Sequence, residues 1–232
     1  MIQVVYTNSN CADVWEMFFN RLYINSKMPI YTISDINIPY PVKGKYLYGN
    51  DVPYYMVWTG ALRAFNEPYF IYLQEDFILY DNVDQEKINY CEQFLKDHPE
   101  YSFIRLIKSG SLGSNQIADN LYEIESSNSD IFSMQPTIWR TEDYSKLLMD
   151  VKDEKWFETP AYRESAIKLG IKGLYYYQGE PKRGLNHHDS NIYPYIATAL
   201  VRGKWNTLEY PEVLPRLLWE YNIDQNKRGI YK

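Results

Sequence analysis

The chain has 232 residues, a formal net charge of −6 and an aromatic content of 17%. This length suits one main domain with an appended segment. The acidic charge disfavours a protein that works by neutralising nucleic-acid phosphates, and two cysteines without a recognisable spacing indicate neither a disulfide framework nor a thiolate metal site. We therefore expect a cytoplasmic protein without a nucleic-acid partner.

Two further features of the composition bear on the partners. The chain opens without a signal-peptide pattern, and no apolar segment approaches the roughly 20 residues that span a bilayer, so membrane contact would be peripheral. The chain also has 24 tyrosines, whose rings can stack on sugars and bases while their hydroxyls hydrogen-bond. AT-rich coding, which favours Tyr, Asn, Ile and Lys, is the alternative explanation.

The N-terminal residues predict a strand, a polar turn and a helix. The strand is Ile2–Tyr6, and apolar residues at helical spacing follow in residues 14–22. Residues 29–35 predict a second strand, which ends in the acid Asp35. This carboxylate suits a ribose hydroxyl or a base edge, or alternatively it begins an Asx turn with Ser34.

A loop and a helix are predicted next. Residues 37–53 are rich in Pro, Gly and Tyr and predict the loop, and residues 55–65 predict the helix. Arg63 on this helix could reach a diphosphate. Alternatively it is solvated or paired with a neighbouring acid.

The most informative stretch is a run of β-branched and aromatic residues at 68–74. It predicts a strand buried on both faces, and it ends in Gln74, Glu75 and Asp76. Ligands of open α/β sheets bind beyond the carboxyl ends of the strands, so the two acids are placed to meet a metal ion or a substrate. Alternatively they cap the turn after the strand.

Residues 84–95 predict a further helix and residues 101–107 a further strand. The alternation of strands and helices predicts an α/β fold, Rossmann-like, with a mostly parallel central sheet and helices on both of its faces. Residues 108–120 are rich in Gly, Ser and Asn and predict a mobile loop.

Two strands are predicted beyond this loop, at residues 122–125 and 131–140. The second contains Pro136, which would interrupt a central strand, so we expect an edge or bulged strand. Thr141 is a plausible N-cap for the helix that follows.

A further carboxylate, Glu158, comes just before a helix that begins at residues 159–160 and ends at Gly170. The helix dipole stabilises an anion at this position, which by itself explains Glu158 as a cap. The same field would keep a general base ionised.

After a strand at residues 171–177, two of the three histidines, His187 and His188, are adjacent and close to Lys182, Arg183 and an acid. This cluster suits a metal and a phosphate, whereas a single histidine is more often structural.

The remaining residues predict helices at 193–201 and 212–221. We expect one domain over residues 1–209 and a C-terminal helical extension over residues 210–232 that packs on it.

A strand-terminal acid in the middle of an α/β chain, with a histidine-containing loop near its end, resembles the GT-A type of nucleotide-sugar glycosyltransferase. The resemblance covers roughly residues 2–192 and is one of layout. Gln74, Glu75 and Asp76 stand where that superfamily has its Asp-any-Asp metal motif. Because the first position is Gln, the strict motif is absent and the adjacent acids resemble its variants.

The resemblance implies a role for each candidate residue. Asp76 would bind Mn²⁺ or Mg²⁺ with His187 or His188, and Glu158 would be the general base of an inverting reaction. The donor nucleotide and its phosphates would contact Thr7, Asn8, Asp35, Arg63, Glu75, Lys182 and Arg183. Gln135 and Trp139 would line the acceptor side.

The implied activity is transfer of a hexose or pentose from a nucleotide sugar to a hydroxyl of a glycan or other acceptor, as in glycan biosynthesis. Without a carboxylate at the base position, retention of configuration would be favoured. A nucleotidyltransferase would share the sheet, the acids and the metal, although no Gly-rich phosphate loop follows the first strand. A non-enzymatic carbohydrate-binding module is the third hypothesis.

Overall fold

A computed structural model of the chain describes residues 1–49, 51–110, 112–128, 130–152, 159–184 and 186–232. These described residues form thirteen strands: β1 Ile2–Tyr6, β2 Ile30–Ser34, β3 Gly44–Leu47, β4 Tyr69–Gln74, β5 Phe103–Arg105, β6 Gln116–Ala118, β7 Leu121–Ile124, β8 Thr137–Arg140, β9 Gly173–Tyr176, β10 Lys182–Arg183, β11 His187–His188, β12 Leu200–Val201 and β13 Lys204–Trp205. The α-helices are α1 Ala12–Asn25, α2 Tyr54–Phe65, α3 Gln85–Asp97, α4 Thr141–Asp150, α5 Pro160–Leu169 and α6 Val213–Glu220.

Nine strands form one central sheet in the order β3-β2-β1-β4-β8-β5-β9-β7-β6. The strands β7 and β8 run opposite to the other seven, as their antiparallel pairing with β4, β5, β6 and β9 shows. The remaining pairs are parallel. The predicted α/β fold with a large, mostly parallel central sheet is therefore confirmed.

The centre of the sheet is buried on both faces. In β4, Phe70 and Tyr72 pack against the indole of Trp58 in α2, with ring centroids 5.8 and 5.2 Å apart. Ile71 and Leu73 point to the opposite face, because side chains alternate along a strand, and both are fully buried there as well. The apolar run predicted this double burial correctly.

The expectation that Pro136 marks an edge or bulged strand is wrong. Strand β8 lies between β4 and β5 in the interior of the sheet. It begins at Thr137, one residue after the proline, so the missing proline N–H removes no bond of the sheet. The Pro136 carbonyl accepts a hydrogen bond from the Leu106 backbone N–H at 2.9 Å.

Three other local predictions are corrected. The loop at residues 37–53 contains the edge strand β3, and the loop at 108–120 contains β6, which forms a hairpin with β7. Both strands are short and lie at the two edges of the sheet, where little periodic apolar signal is required. The helix expected at 193–201 is an irregular buried segment, in which Ile196 donates a backbone hydrogen bond to Ile78 at 2.9 Å. Short apolar runs do not distinguish helix from strand by periodicity.

The C-terminal residues pack on the rest of the chain. Leu214, Leu217 and Leu218 of α6 are buried. Arg228 forms an ion pair with Asp13 at the start of α1 and also donates to the Asn10 carbonyl. Within the described residues, no helix combines the length and hydropathy that crossing a membrane requires.

Candidate functional site

A cavity of about 520 Å³ lies at the carboxyl edge of β4 and β5, where β8 begins. Parallel strands bring their carboxyl ends to one edge of a sheet, which is why residues distant in sequence meet there. The lining is mainly polar: Gln74, Asp76, Phe77, Ser109, Gly110, Asp130, Ser133, Met134, Gln135, Asn186, His187, Thr198 and Leu200.

The two acids after β4 occupy different environments. Glu75 is buried, at 8% exposure, and desolvation raises its pKa although hydrogen bonds with Cys11 and Thr7 act in the opposite direction. Asp76 lines the cavity, and desolvation followed by the charge of Glu75 raises its pKa to about 7. Asp76 is therefore the member of the pair that can contact a ligand, and its pKa is far above the ordinary range of a carboxyl group.

Arg105 connects two segments that form walls of the cavity. Its guanidinium donates to the Ser109 hydroxyl at 3.1 Å and to the carbonyls of Asp130 and Ile131 at 2.8 and 2.9 Å. The side chain is only 1% exposed. A buried charge needs such hydrogen bonds to offset its desolvation, so this cation holds the segments that carry Ser109 and Asp130 in place.

The two adjacent histidines face different surroundings, because consecutive residues of a strand point to opposite sides. His187 lines the cavity, whereas the ring of His188 packs edge-on against Tyr177 with centroids 5.2 Å apart. Desolvation and the charge of Arg105 lower the pKa of His187 to about 4. At neutral pH its imidazole is uncharged, which is the form that can bind a metal, and its buried Nδ1 has no hydrogen-bond partner in the described residues.

The donor set suits a metal only in part. No group of three or more His, Cys, Asp or Glu side chains in the described ranges is arranged to hold an ion. Asp76 and His187 nevertheless line one cavity. Mg²⁺ in particular is commonly bound through one or two carboxylates together with waters and substrate phosphates. These residues therefore fit an ion that arrives with a phosphate ligand, and not a complete protein-made metal site.

The polar residues after β1 and β2 interact mainly with each other. Thr7 is fully buried and accepts a hydrogen bond from the indole of Trp15 at 2.7 Å. Asn8 accepts from the Asn10 backbone N–H and caps a short 3-10 helix. The carboxylate of Asp35 accepts from the Ser9 backbone N–H at 2.8 Å. This group lies at the carboxyl edge, but its side chains are used to shape the turn, and none of them lines the cavity.

None of the three predicted cations is among the described residues that line the cavity. Arg63 is in the last turn of α2, and it lines a different cavity with Tyr69, the first residue of β4. A helix that leads into a parallel strand ends at the edge where that strand begins, so Arg63 lies at the edge of the sheet opposite Asp76. Arg183 is paired with Asp189 at 2.6 Å, and Lys182 is exposed.

Of the two predicted acceptor residues, one lines the cavity and the other is buried in the core. Gln135 lines the cavity, and its Oε1 accepts from the Tyr195 hydroxyl at 2.5 Å, which fixes the amide plane. Trp139 is 2% exposed and packs against Phe103, with ring centroids 4.4 Å apart, in the core. Glu158 lies outside the described residues.

Several residues of the site were not predicted from the sequence: Arg105, Ser109, Asp130, Asn186 and Thr198. Only Arg105 carries a local signal, because it interrupts the apolar run of residues 103–107, and a cation within a buried strand indicates a specific polar partner. The other four are ordinary loop residues that are brought together by the fold.

No protein-family model and no curated sequence matches the chain. One similar solved structure is a cytidylyltransferase from Leptospira borgpetersenii serovar Hardjo-bovis, with a TM-score of 0.49 and 12% identity over 100% of this chain and 99% of that chain. A second is CMP:2-keto-3-deoxy-manno-octonic acid synthetase complexed with CTP, with a TM-score of 0.46 and 10% identity over 76% of this chain and 89% of that chain. A third is the mannosyltransferase PcManGT from Pyrobaculum calidifontis in complex with GDP-Man and Mn²⁺, with a TM-score of 0.44 and 14% identity over 79% of this chain and 58% of that chain. At these values the similarity does not establish a shared activity.

Proposed function

We propose that the chain is a nucleotide-dependent transferase that works in the cavity at the carboxyl edge of β4 and β5. The observation that carries this proposal is the charge of the cavity. Asp76, Asp130 and His187 line it with amides and hydroxyls, and no Lys or Arg is among its lining residues in the described part of the chain. Once both acids are ionised, they would repel a nucleotide phosphate unless a cation lay between the carboxylates and the phosphate.

Asp76 and His187 would hold a divalent ion, Mn²⁺ or Mg²⁺, which supplies Lewis-acid stabilisation of a leaving phosphate. The chain's own polar groups would orient the second substrate. Gln135 is held by Tyr195, and Ser109 is held by Arg105, so both present fixed hydrogen-bonding groups. Fixed polar groups lower the entropic cost of reaching the reactive geometry.

Two chemistries fit this arrangement. Glycosyl transfer from a nucleotide sugar is favoured by the amide and hydroxyl lining, which can bind sugar hydroxyls, and needs a general base, for which Glu158 remains our candidate. Nucleotidyl transfer from a nucleoside triphosphate is favoured because a reaction activated by a metal needs no separate carboxylate as a general base. The described lining has only the carboxylates of Asp76 and Asp130.

The proposal is tested by calorimetric titration of the full chain with UDP, GDP, dTDP and CTP, each with Mn²⁺ and again with chelator. We expect metal-dependent binding of at least one nucleotide. Donors built on that nucleotide then separate the chemistries: release of pyrophosphate identifies nucleotidyl transfer, and release of a nucleoside diphosphate identifies glycosyl transfer. Absence of binding by all four nucleotides would contradict the proposal.

Glu158→Gln separates the catalytic and capping roles of this residue. If Glu158 is the general base, we expect donor affinity to stay within about twofold and turnover to fall by about 10²-fold or more, because proton transfer contributes at least that much. The measurement is a single-turnover rate beside a nucleotide titration. Turnover equal to that of the unmodified chain would leave Glu158 as a helix cap and favour the nucleotidyl chemistry.

A further inference from the structure

A cluster of cationic and aromatic side chains adjoins the acidic cavity. It consists of Lys108, Lys182, His188 and Tyr177, and we call it the Lys–His cluster. The Nζ of Lys108 lies 4.5 Å from the ring centroid of Tyr177, and the ring of His188 packs edge-on against the same tyrosine. The His188 backbone N–H donates to the Lys108 carbonyl at 3.0 Å, so the two residues are held side by side.

Lys182 completes the cluster across the small β10–β11 hairpin. In the antiparallel register it is directly opposite His188. Opposite residues have Cβ atoms about 4.5–5.5 Å apart and point to the same side. Lys182 and the His188 ring therefore lie on the same side of the hairpin. Lys108 is held next to His188 by the backbone hydrogen bond described above.

Neither lysine has a carboxylate partner within 4 Å in the described residues, although the chain as a whole carries a net charge of −6. The acid in this region is Glu180, which is 4% exposed and accepts from the Gln178 and Asn191 backbone N–H groups. These hydrogen bonds tie Glu180 to the two segments that flank the hairpin. The buried Nδ1 of His188 also has no hydrogen-bond partner in the described residues. Two cations without a carboxylate in ion-pair distance among the described residues, beside the ring of His188, are suited to an anion.

The cluster is continuous with the cavity through two backbone segments. Lys108 is followed by Ser109 and Gly110, and His188 is preceded by Asn186 and His187, all four of which line the cavity. Ser109 and His187 form a β-bridge that joins these segments. One substrate could therefore place an anionic group on the cluster and a reactive group in the cavity.

We propose that Lys108, Lys182 and His188 bind a phosphate or carboxylate group of the second substrate, an assignment that rests on the transferase function proposed above. The cavity and the cluster would bind the charged groups of different substrates. The acidic cavity takes the nucleotide phosphates with their metal, and the cationic cluster takes an anionic acceptor. An uncharged acceptor would leave the two lysines without a ligand.

The test uses the full chain and inorganic phosphate, and follows the imidazole signals by NMR at constant ionic strength. The chain has three histidines, so the signal of His188 is assigned by its loss in His188→Gln. We expect a saturable phosphate-dependent shift of this signal. We expect the Lys108→Ala/Lys182→Ala variant to weaken phosphate binding about tenfold or more, because charge-assisted hydrogen bonds are lost. Acetate in place of phosphate distinguishes a carboxylate ligand from a phosphate ligand.

The matched control is Lys27→Ala/Lys43→Ala, which removes the same charge at two exposed positions outside the cluster. It should leave phosphate affinity within about twofold. Equal weakening in both double variants, or no saturable shift in the unmodified chain, would overturn the proposal. A saturating Mg²⁺-nucleotide that displaces phosphate would also overturn it, because the anion would then belong to the nucleotide. If no nucleotide binds, the proposed function fails, and the phosphate titration still reports on the cluster separately.

Discussion

Replacing Asp76 with Asn should abolish metal-dependent nucleotide binding and, at pH 8, make the fold more stable. The pKa of Asp76 is raised from 3.8 to about 7, so the folded chain holds this proton more tightly than the unfolded chain. The resulting stability is fully present below the ordinary pKa and is lost as the pH rises towards 7. Above pH 7 the ionised carboxylate destabilises the fold, by at most about 4 kcal/mol, and Asn removes that cost.

The measurements are the nucleotide titration with Mn²⁺ and urea unfolding at pH 8. In the unmodified chain, metal-dependent binding should weaken as the pH falls below 7, since a metal ligand must be deprotonated. Asp143→Asn is the matched control, because this carboxylate belongs to an ion pair with Arg140 away from the cavity. If Asp76→Asn lowers stability and leaves nucleotide binding intact, Asp76 is a structural cap of the turn after β4.

Arg105→Met should be the most destabilising single change at the site. It removes the donor that serves Ser109, Asp130 and Ile131, and it leaves two carbonyls without this partner in the interior. Each buried acceptor that loses a charged donor costs about 1–3 kcal/mol, and removal of the buried charge offsets part of this cost. We therefore expect the free energy of unfolding to fall by about 2–4 kcal/mol. Arg105→Lys keeps the charge but not the planar fork, so its loss should be smaller.

The comparison for this prediction is Arg216→Met in α6, whose ion pair with Glu220 is exposed and has an N···O distance of 3.6 Å. Its effect should remain below about 0.5 kcal/mol. Nucleotide affinity should fall in Arg105→Met even at temperatures where the variant is folded, because Ser109 and Asp130 are no longer held. Unfolding free energies that are equal in Arg105→Met and Arg216→Met would refute the role of Arg105 as the connection between the cavity walls.

Much of the architecture follows from the sequence by itself. A strand that is buried on both faces has a continuous run of apolar residues, so β1 and β4 can be recognised in the sequence. The helices α1 and α2 can be recognised because their apolar residues recur at helical spacing. The end of such a run is also a local property. For that reason the sequence located Glu75 and Asp76 at the carboxyl edge of the sheet, and the structure places Asp76 in the cavity there.

Only the tertiary structure decided which side chains share that cavity. Strand order is set by packing between distant segments, so the insertion of β8 between β4 and β5, which brings Gln135 beside Asp76, has no local signature. The same holds for Arg63, whose helix ends at the opposite edge, and for Trp139, which the core encloses. Periodicity reports whether a residue is buried, whereas the cavity depends on contacts between residues far apart in the chain, and these contacts are formed only by the folded sheet.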